Sequence, residues 1–136
     1  MSQPPAFQAP YALVVDDDAL IRMAAVDILE DGGFRVFEAS DGDKAIAVLA
    51  EHHPSIVLLF TDVQMPGSRD GFAVARETAR CWPHISIVVA SGQAKPGPGD
   101  LPEGARFIGK PFSAEVVHDH IKEILPDGQK PEPLRD

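Results

Sequence analysis

The sequence predicts an α/β fold in which a five-stranded parallel sheet alternates with helices. Three observations carry that expectation. Short apolar runs alternate with stretches of helical period between residues 11 and 125. The run Ile56-Val57-Leu58-Leu59-Phe60 is apolar on both faces, as a strand in the middle of a parallel sheet has to be. The spacing between runs leaves room for crossover helices, which parallel strands require, rather than for hairpin turns.

Taken in order, Tyr11-Ala12-Leu13-Val14-Val15 is a run of strand formers that stops at Asp16. Ile21, Ala25, Ile28 and Leu29 then recur at helical spacing, and the pattern ends at Gly32-Gly33. Residues 35–39 read as a short second strand, and Ala45, Ile46 and Leu49 as the stripe of a second helix ending near Pro54. After the central run, a helix from about Gly71 to Cys81 stops before Pro83, because a proline disfavours helical backbone in the residue ahead of it. Residues 85–90 form the fourth strand and residues 106–108 a short fifth. Val117, Ile121, Ile124 and Leu125 give the last helix, capped by Ser113 and ended by Pro126.

One unit breaks the rhythm. Residues 92–104 hold three prolines and four glycines where a fourth helix belongs. At ~3 kcal/mol per interior proline and ~1 kcal/mol per glycine, that helix is expected to be shortened or replaced by an irregular loop. The segments 1–10 and 126–136 each carry three prolines in a polar setting and are expected to be disordered tails around one domain at 11–125.

Charge and length narrow the function classes. The chain has 136 residues with 12 Lys plus Arg against 21 Asp plus Glu, a net charge of −9. An acidic balance argues against nucleic acid, whose affinity rests on clustered Lys and Arg, and against an anionic membrane surface. No apolar stretch approaches ~20 residues, and the N-terminus lacks the basic and apolar regions of a signal peptide. A cytoplasmic protein is expected. The single cysteine, Cys81, excludes an internal disulfide and reads as a small buried or half-buried apolar residue. Of the five histidines, His52-His53 and His118/His120 sit on exposed helix positions; no carboxylate–histidine metal spacing emerges, and all five read as structural or surface residues rather than phosphohistidines.

In open parallel sheets ligands bind beyond the carboxyl ends of the strands. Strand one ends in Asp16-Asp17-Asp18, strand three in Thr61-Asp62, strand four in Ser91 and strand five in Lys110-Pro111. Singly, each has an ordinary explanation: Asp17 or Asp18 as a helix N-cap, Ser91 as a turn residue, Lys110 as a solvated charge. Together they set carboxylates, a hydroxyl and an ammonium at one end of the sheet. Two carboxylates ~5 Å apart at that end repel by ~3 kcal/mol at an effective dielectric of 20. A hard all-oxygen set of that kind selects Mg²⁺.

The order of these residues resembles the receiver domain of bacterial response regulators. The resemblance lies in Val14-Val15-Asp16-Asp17-Asp18, in Asp62-Val63-Gln64-Met65-Pro66 with Asp70-Gly71, in Ala90-Ser91-Gly92, and in Phe107-Ile108-Gly109-Lys110-Pro111-Phe112. The residue added by Gly67-Ser68-Arg69, together with the Pro/Gly-rich segment, is similar to stand-alone receivers of alphaproteobacteria. The resemblance implies the flavodoxin-like strand order 2-1-3-4-5, the topology for which a protein of this family is a standard example. It implies that Asp62 is the phosphoacceptor, and that Mg²⁺ is held by Asp17, Asp62, Asp16 through water, and the Gln64 backbone carbonyl. Lys110 and Ser91 bind the phosphoryl group, Ser91 and Phe107 form a switch, and Lys110-Pro111 is a cis peptide. Gln64 and Gln93 stand where the family tunes dephosphorylation.

The function expected is that of a stand-alone response regulator in a two-component phosphorelay. It takes a phosphoryl group from a histidine kinase or phosphotransfer protein onto Asp62 and acts on an unknown downstream protein or as a phosphate sink. It is not expected to be an enzyme beyond its own phosphorylation and dephosphorylation. An aspartate-nucleophile phosphatase needs a second Asp two residues after the nucleophile, where Gln64 stands. The alternative kept open is a phosphorylation-independent docking module on the same fold.

Overall fold

The computed structural model describes residues 9–134. Five strands alternate with four helices: β1 Tyr11–Val15, α1 Ala19–Asp31, β2 Arg35–Ala39, α2 Gly42–His52, β3 Ile56–Asp62, α3 Gly71–Cys81, β4 Ser86–Ser91, β5 Arg106–Gly109 and α4 Ala114–Ile124. All pairings are parallel and the order across the sheet is β2-β1-β3-β4-β5. This is the flavodoxin-like arrangement that the motifs implied.

Alternation along the buried strands divides the core between two faces. Ala12, Val14, Leu58, Phe60, Val88 and Ala90 pack with Ala25 and Leu29 of α1 and with Val117 and Ile121 of α4. Leu13, Val15, Leu59, Ile87 and Val89 pack on the other face with Ala45 and Leu49 of α2 and with Phe72, Val74 and Ala75 of α3. Burying both faces requires the nearly unbroken apolar character of β1, β3 and β4. Asp18, Asp41, Asp70 and Ser113 cap the four helices, each side chain accepting from backbone N–H groups of its first turn. Of the two candidates for the first cap, Asp18 takes the role.

No helix forms between β4 and β5. Residues 92–105 run as turns and irregular backbone, and Ala94, Leu101 and Ala105 pack against the α2/α3-side core together with Phe107. Three small or branched apolar side chains thus cover sheet surface that a helix stripe would otherwise bury. A hydrogen bond from Arg76 Nη1 to the Asp100 carbonyl, 3.3 Å, ties the segment to α3.

Three expectations need correction. The C-terminal segment is not a disordered tail over residues 126–134. Short 3₁₀ turns at Asp127–Gln129 and Glu132–Leu134 fold it back, and Leu134 is 3% exposed within the α1/α4-side core. Its dock is the Gly32-Gly33 turn after α1: a Cβ on Gly33 would lie 2.7 Å from the Pro131 Cβ, and one on Gly32 would lie 3.4 Å from Leu134 Cδ1. Gly33 also holds φ +101°, the left-handed region that favours glycine. Residues 1–8 and 135–136 of the expected tails lie outside the described residues. Cys81 is exposed rather than buried: it is the last residue of α3, and the half-buried Trp82 that follows it packs against the core. His52, His53, His118 and His120 are half-buried rather than exposed, while His84 is exposed: His52 stacks on Phe37 at 4.5 Å between ring centroids, and His118 Nε2 lies 2.8 Å from the Ile28 carbonyl.

Leu134→Ala is expected to cost about 2–3 kcal/mol, the usual result of emptying a leucine site in a core. Urea unfolding measures it, and an unchanged midpoint would show that the segment is not docked.

Candidate functional site

The site sits at the carboxyl ends of β1, β3, β4 and β5, and strand pairing sets its geometry. Val15 lies beside Thr61, Asp62 beside Ala90, and Ser91 beside Gly109. The third and fourth strands extend further than their apolar runs indicate. Thr61, Asp62 and Ser91 belong to the ladders themselves, so their backbones are fixed by sheet hydrogen bonds. Asp16 follows β1 directly, held by its N–H to the Ala39 carbonyl (3.2 Å) and by Arg22 Nη1 donating to its own carbonyl (2.8 Å).

Asp16, Asp62 and Ser91 are buried, at 4%, 8% and 5% exposure. Lys110 Nζ donates to Asp16 Oδ2 and to Asp62 Oδ1, both at 2.9 Å. The second Asp16 oxygen, Oδ1, accepts from the Asp18 N–H at 2.9 Å. Carboxylate oxygens of Asp16, Asp17 and Asp62 lie within 4.8 Å of one another, with Asp17 on the exposed side. The Lys110-Pro111 peptide is cis, and the Lys110 N–H donates to the Ser91 carbonyl at 3.0 Å.

Burial pushes the Asp62 carboxyl above its ordinary range; the hydrogen bond from Lys110 opposes this, and the charge of Asp16 adds to it. Burial acts to lower the Lys110 ammonium, but its hydrogen bonds to Asp16 and Asp62 outweigh burial and raise it. The three carboxylates suit a hard divalent cation in donor chemistry and in spacing, and one ammonium leaves the cluster short of positive charge.

The other expected residues fall around this centre. The Ser91 hydroxyl accepts from the N–H groups of Gln93 (3.3 Å) and Ala94 (3.0 Å), which ties the start of the 92–104 segment to the site. Phe107 is half-buried beside Val89 in the register, packed on the α2/α3-side core. Gln64 and Gln93 are exposed. Sequence reasoning missed the structural reason for Gly71. A Cβ there would lie 1.8 Å from the Asp62 carbonyl oxygen, so the first turn of α3 presses directly on the backbone of Asp62. The signal was available in the Asp70-Gly71 pair, an N-cap followed by the smallest residue. Arg22 and Arg69 were also missed, and no local pattern marks them.

A family model described as the response regulator receiver domain matches residues 12–122. The chain belongs to that family. This receiver domain is 36% identical over 117 residues to the chemotaxis protein CheY of Bacillus subtilis, covering 83% of this chain and 95% of that protein. It is 33% identical over 116 residues to the sensor kinase CckA of Brucella abortus, of which it spans only 12%. Among solved structures, a response regulator receiver protein from Sinorhizobium medicae WSM419 superposes with a TM-score of 0.80 at 28% identity, covering 86% of this chain and 94% of that one. The similarity to CckA and to the Sinorhizobium structure agrees with the alphaproteobacterial character of the motifs.

Because the folded protein holds the Asp62 proton more tightly than an unfolded chain does, that contribution to stability is present below the ordinary carboxylate value of 3.8. It is lost as pH rises through the raised value. In metal-free buffer, Asp62→Asn is therefore expected to be more stable than wild type at neutral pH and to lack this falling component. Denaturant unfolding from pH 4 to 8 measures both, and a wild type more stable than the variant at pH 7 would contradict a carboxyl raised by burial.

Proposed function

We propose that this receiver domain acts as a stand-alone response regulator that accepts a phosphoryl group on Asp62 in a Mg²⁺-dependent reaction. The observation that carries the reading is the Lys110 ammonium bound 2.9 Å from both Asp16 and Asp62, within a cluster of three carboxylates. A structural ion pair needs one carboxylate per ammonium. An excess of buried carboxylate beside a lysine instead suits a site completed by a divalent cation and a phosphoryl group.

Asp17, Asp62 and the Gln64 backbone carbonyl would hold Mg²⁺, with Asp16 acting through water because both its oxygens are already engaged. When bound, Mg²⁺ neutralises charge on a phosphoryl oxygen. An Asp62 carboxylate oxygen attacks phosphorus as the bond to the donor imidazole breaks, forming an acyl phosphate. Lys110 then turns to a phosphoryl oxygen, and the Ser91 hydroxyl supplies a further hydrogen bond. Ser91 can donate its O–H to phosphate while still accepting from the N–H groups of Gln93 and Ala94, so a shift of its side chain toward the phosphoryl group is carried to the 92–104 segment and to Phe107 beside it. Exposed Gln64 and Gln93 tune access of water to the acyl phosphate.

The donor is a histidine kinase or phosphotransfer protein. An apolar cleft of about 440 Å³, lined by Leu20, Ile21, Ala24, Lys110, Pro111 and Phe112, adjoins the site. Leu20 is 79% exposed there, and Met23 on the same helix is 58% exposed. Such a surface suits an amphipathic helix that carries the phosphohistidine. Among the described residues no helix is long and apolar enough to cross a membrane, and a cytoplasmic location fits this donor. The protein modifies only itself, and output passes through a protein partner or through drainage of phosphate from the kinase.

In a Mg²⁺-dependent phosphotransfer assay with a small-molecule phosphodonor such as acetyl phosphate, wild type is expected to take up phosphate. Asp62→Ala, or removal of Mg²⁺ with EDTA, is expected to abolish uptake. Labelling that persists in Asp62→Ala would overturn the assignment, and the absence of labelling in wild type would favour the docking module.

A further inference from the structure

The loop between β3 and α3 carries Gln64 and the stretch Gly67-Ser68-Arg69. That stretch is anchored on the neighbouring helices. The Ser68 hydroxyl donates to both oxygens of Asp43 at 3.0 and 3.1 Å. Arg69 Nη1 donates to Asp43 Oδ1, and Arg69 Nε donates to Glu77 Oε1 at 3.0 Å. One guanidinium thus joins the first turn of α2 to the middle of α3 across the loop. The backbone is equally close: a Cβ on Gly42 would lie 2.7 Å from the Arg69 carbonyl oxygen. Gly67, at φ +101°, turns the chain toward α2.

At its base the loop is held by the Gly71 N–H donating to the Val63 carbonyl at 2.8 Å. Gln64 lies between that base and the anchored tip, exposed, with its neighbours Val63 and Met65 packed on the α2/α3-side core. Its backbone carbonyl is therefore placed by those two neighbours together with the anchored tip that follows them. The base is a backbone hydrogen bond, whereas the tip is anchored by side chains. The hydrogen bonds from Ser68 and then Arg69 hold the Asp43 carboxyl below its ordinary range, so the anchor is fully charged at neutral pH.

We propose that Arg69 is a positioning residue, which fixes the β3–α3 loop against Asp43 and Glu77 and thereby sets the Gln64 carbonyl for Mg²⁺. The proposal rests on the reading of the site as a Mg²⁺-dependent phosphoacceptor. It has a sign that separates it from simple electrostatics. Loss of a nearby positive charge alone would tighten binding of a cation, whereas loss of positioning weakens it.

The test uses the full chain. Mg²⁺ affinity is measured by calorimetric titration, phosphorylation rate with acetyl phosphate across a Mg²⁺ series, and unfolding by urea in metal-free buffer. Arg69→Gln is expected to weaken Mg²⁺ binding by about 3- to 10-fold, below the 10- to 100-fold typical of groups that touch a metal ligand directly. The phosphorylation rate should fall at low Mg²⁺ and recover at saturating Mg²⁺. Arg69→Lys should restore part of the affinity. Asp43→Asn should resemble Arg69→Gln, and the double variant should be no worse than either alone, as expected of two groups acting as a unit. Unchanged or tighter Mg²⁺ binding in Arg69→Gln, or a loss that merely follows a fall in the urea midpoint, would overturn the positioning role while leaving Asp62 phosphorylation intact. A wild type that bound no Mg²⁺ would remove both readings.

Discussion

The contact on which the site depends is the Lys110 ammonium shared between Asp16 and Asp62. Two buried carboxylates side by side are repelled by one another and penalised by the loss of water. An ammonium 2.9 Å from each makes that burial tolerable without neutralising it, since Asp17 adds a third carboxylate at the rim. The cluster is held together and left anionic at once. Such a balance is what the proposed site requires, with the remaining negative charge free to meet a divalent cation.

The fold supplies the distances. Parallel pairing in the order β2-β1-β3-β4-β5 sets the ends of β1 and β3 side by side and brings Ser91 next to the end of β5. The two halves of the core, one behind α1 and α4 and the other behind α2 and α3, keep those strand ends in place. Gly71 then brings α3 down onto the Asp62 carbonyl, and the Arg22 guanidinium, through its bond to the Asp16 carbonyl, does the same for the end of β1. Movement at the centre has a short route outward, because the Ser91 hydroxyl is itself the acceptor that organises the start of the 92–104 segment.

Much of this was legible in the sequence, for local reasons. Doubly apolar strands, the Asp18 and Ser113 caps and the proline-rich gap before β5 are written in neighbouring residues, and the polar residues at four strand ends are placed by topology alone. What was not legible depends on partners distant in the chain. Residues 126–134 have the composition of a tail, but Leu134 finds a socket made by the Gly32-Gly33 turn near the other end of the chain, and no local pattern announces a socket. Arg69 reads as a loop charge until α2 and α3 are brought to either side of it. Cys81 was misjudged for the opposite reason: residue type favoured burial, and its place at the very end of α3 leaves it exposed.

An anionic cluster stabilised by one lysine and completed by a divalent cation should reveal itself in the stability of the whole domain. The most direct measurement is the unfolding free energy of wild type and of Asp17→Asn in urea as free Mg²⁺ is raised. Wild type should gain about 1.4 kcal/mol for each tenfold rise above the dissociation constant, the increment expected when a ligand binds only the folded state, and Asp17→Asn should gain far less over the same range. A wild-type stability indifferent to Mg²⁺, or an equal gain in the variant, would contradict the assignment of these carboxylates to a metal-dependent site.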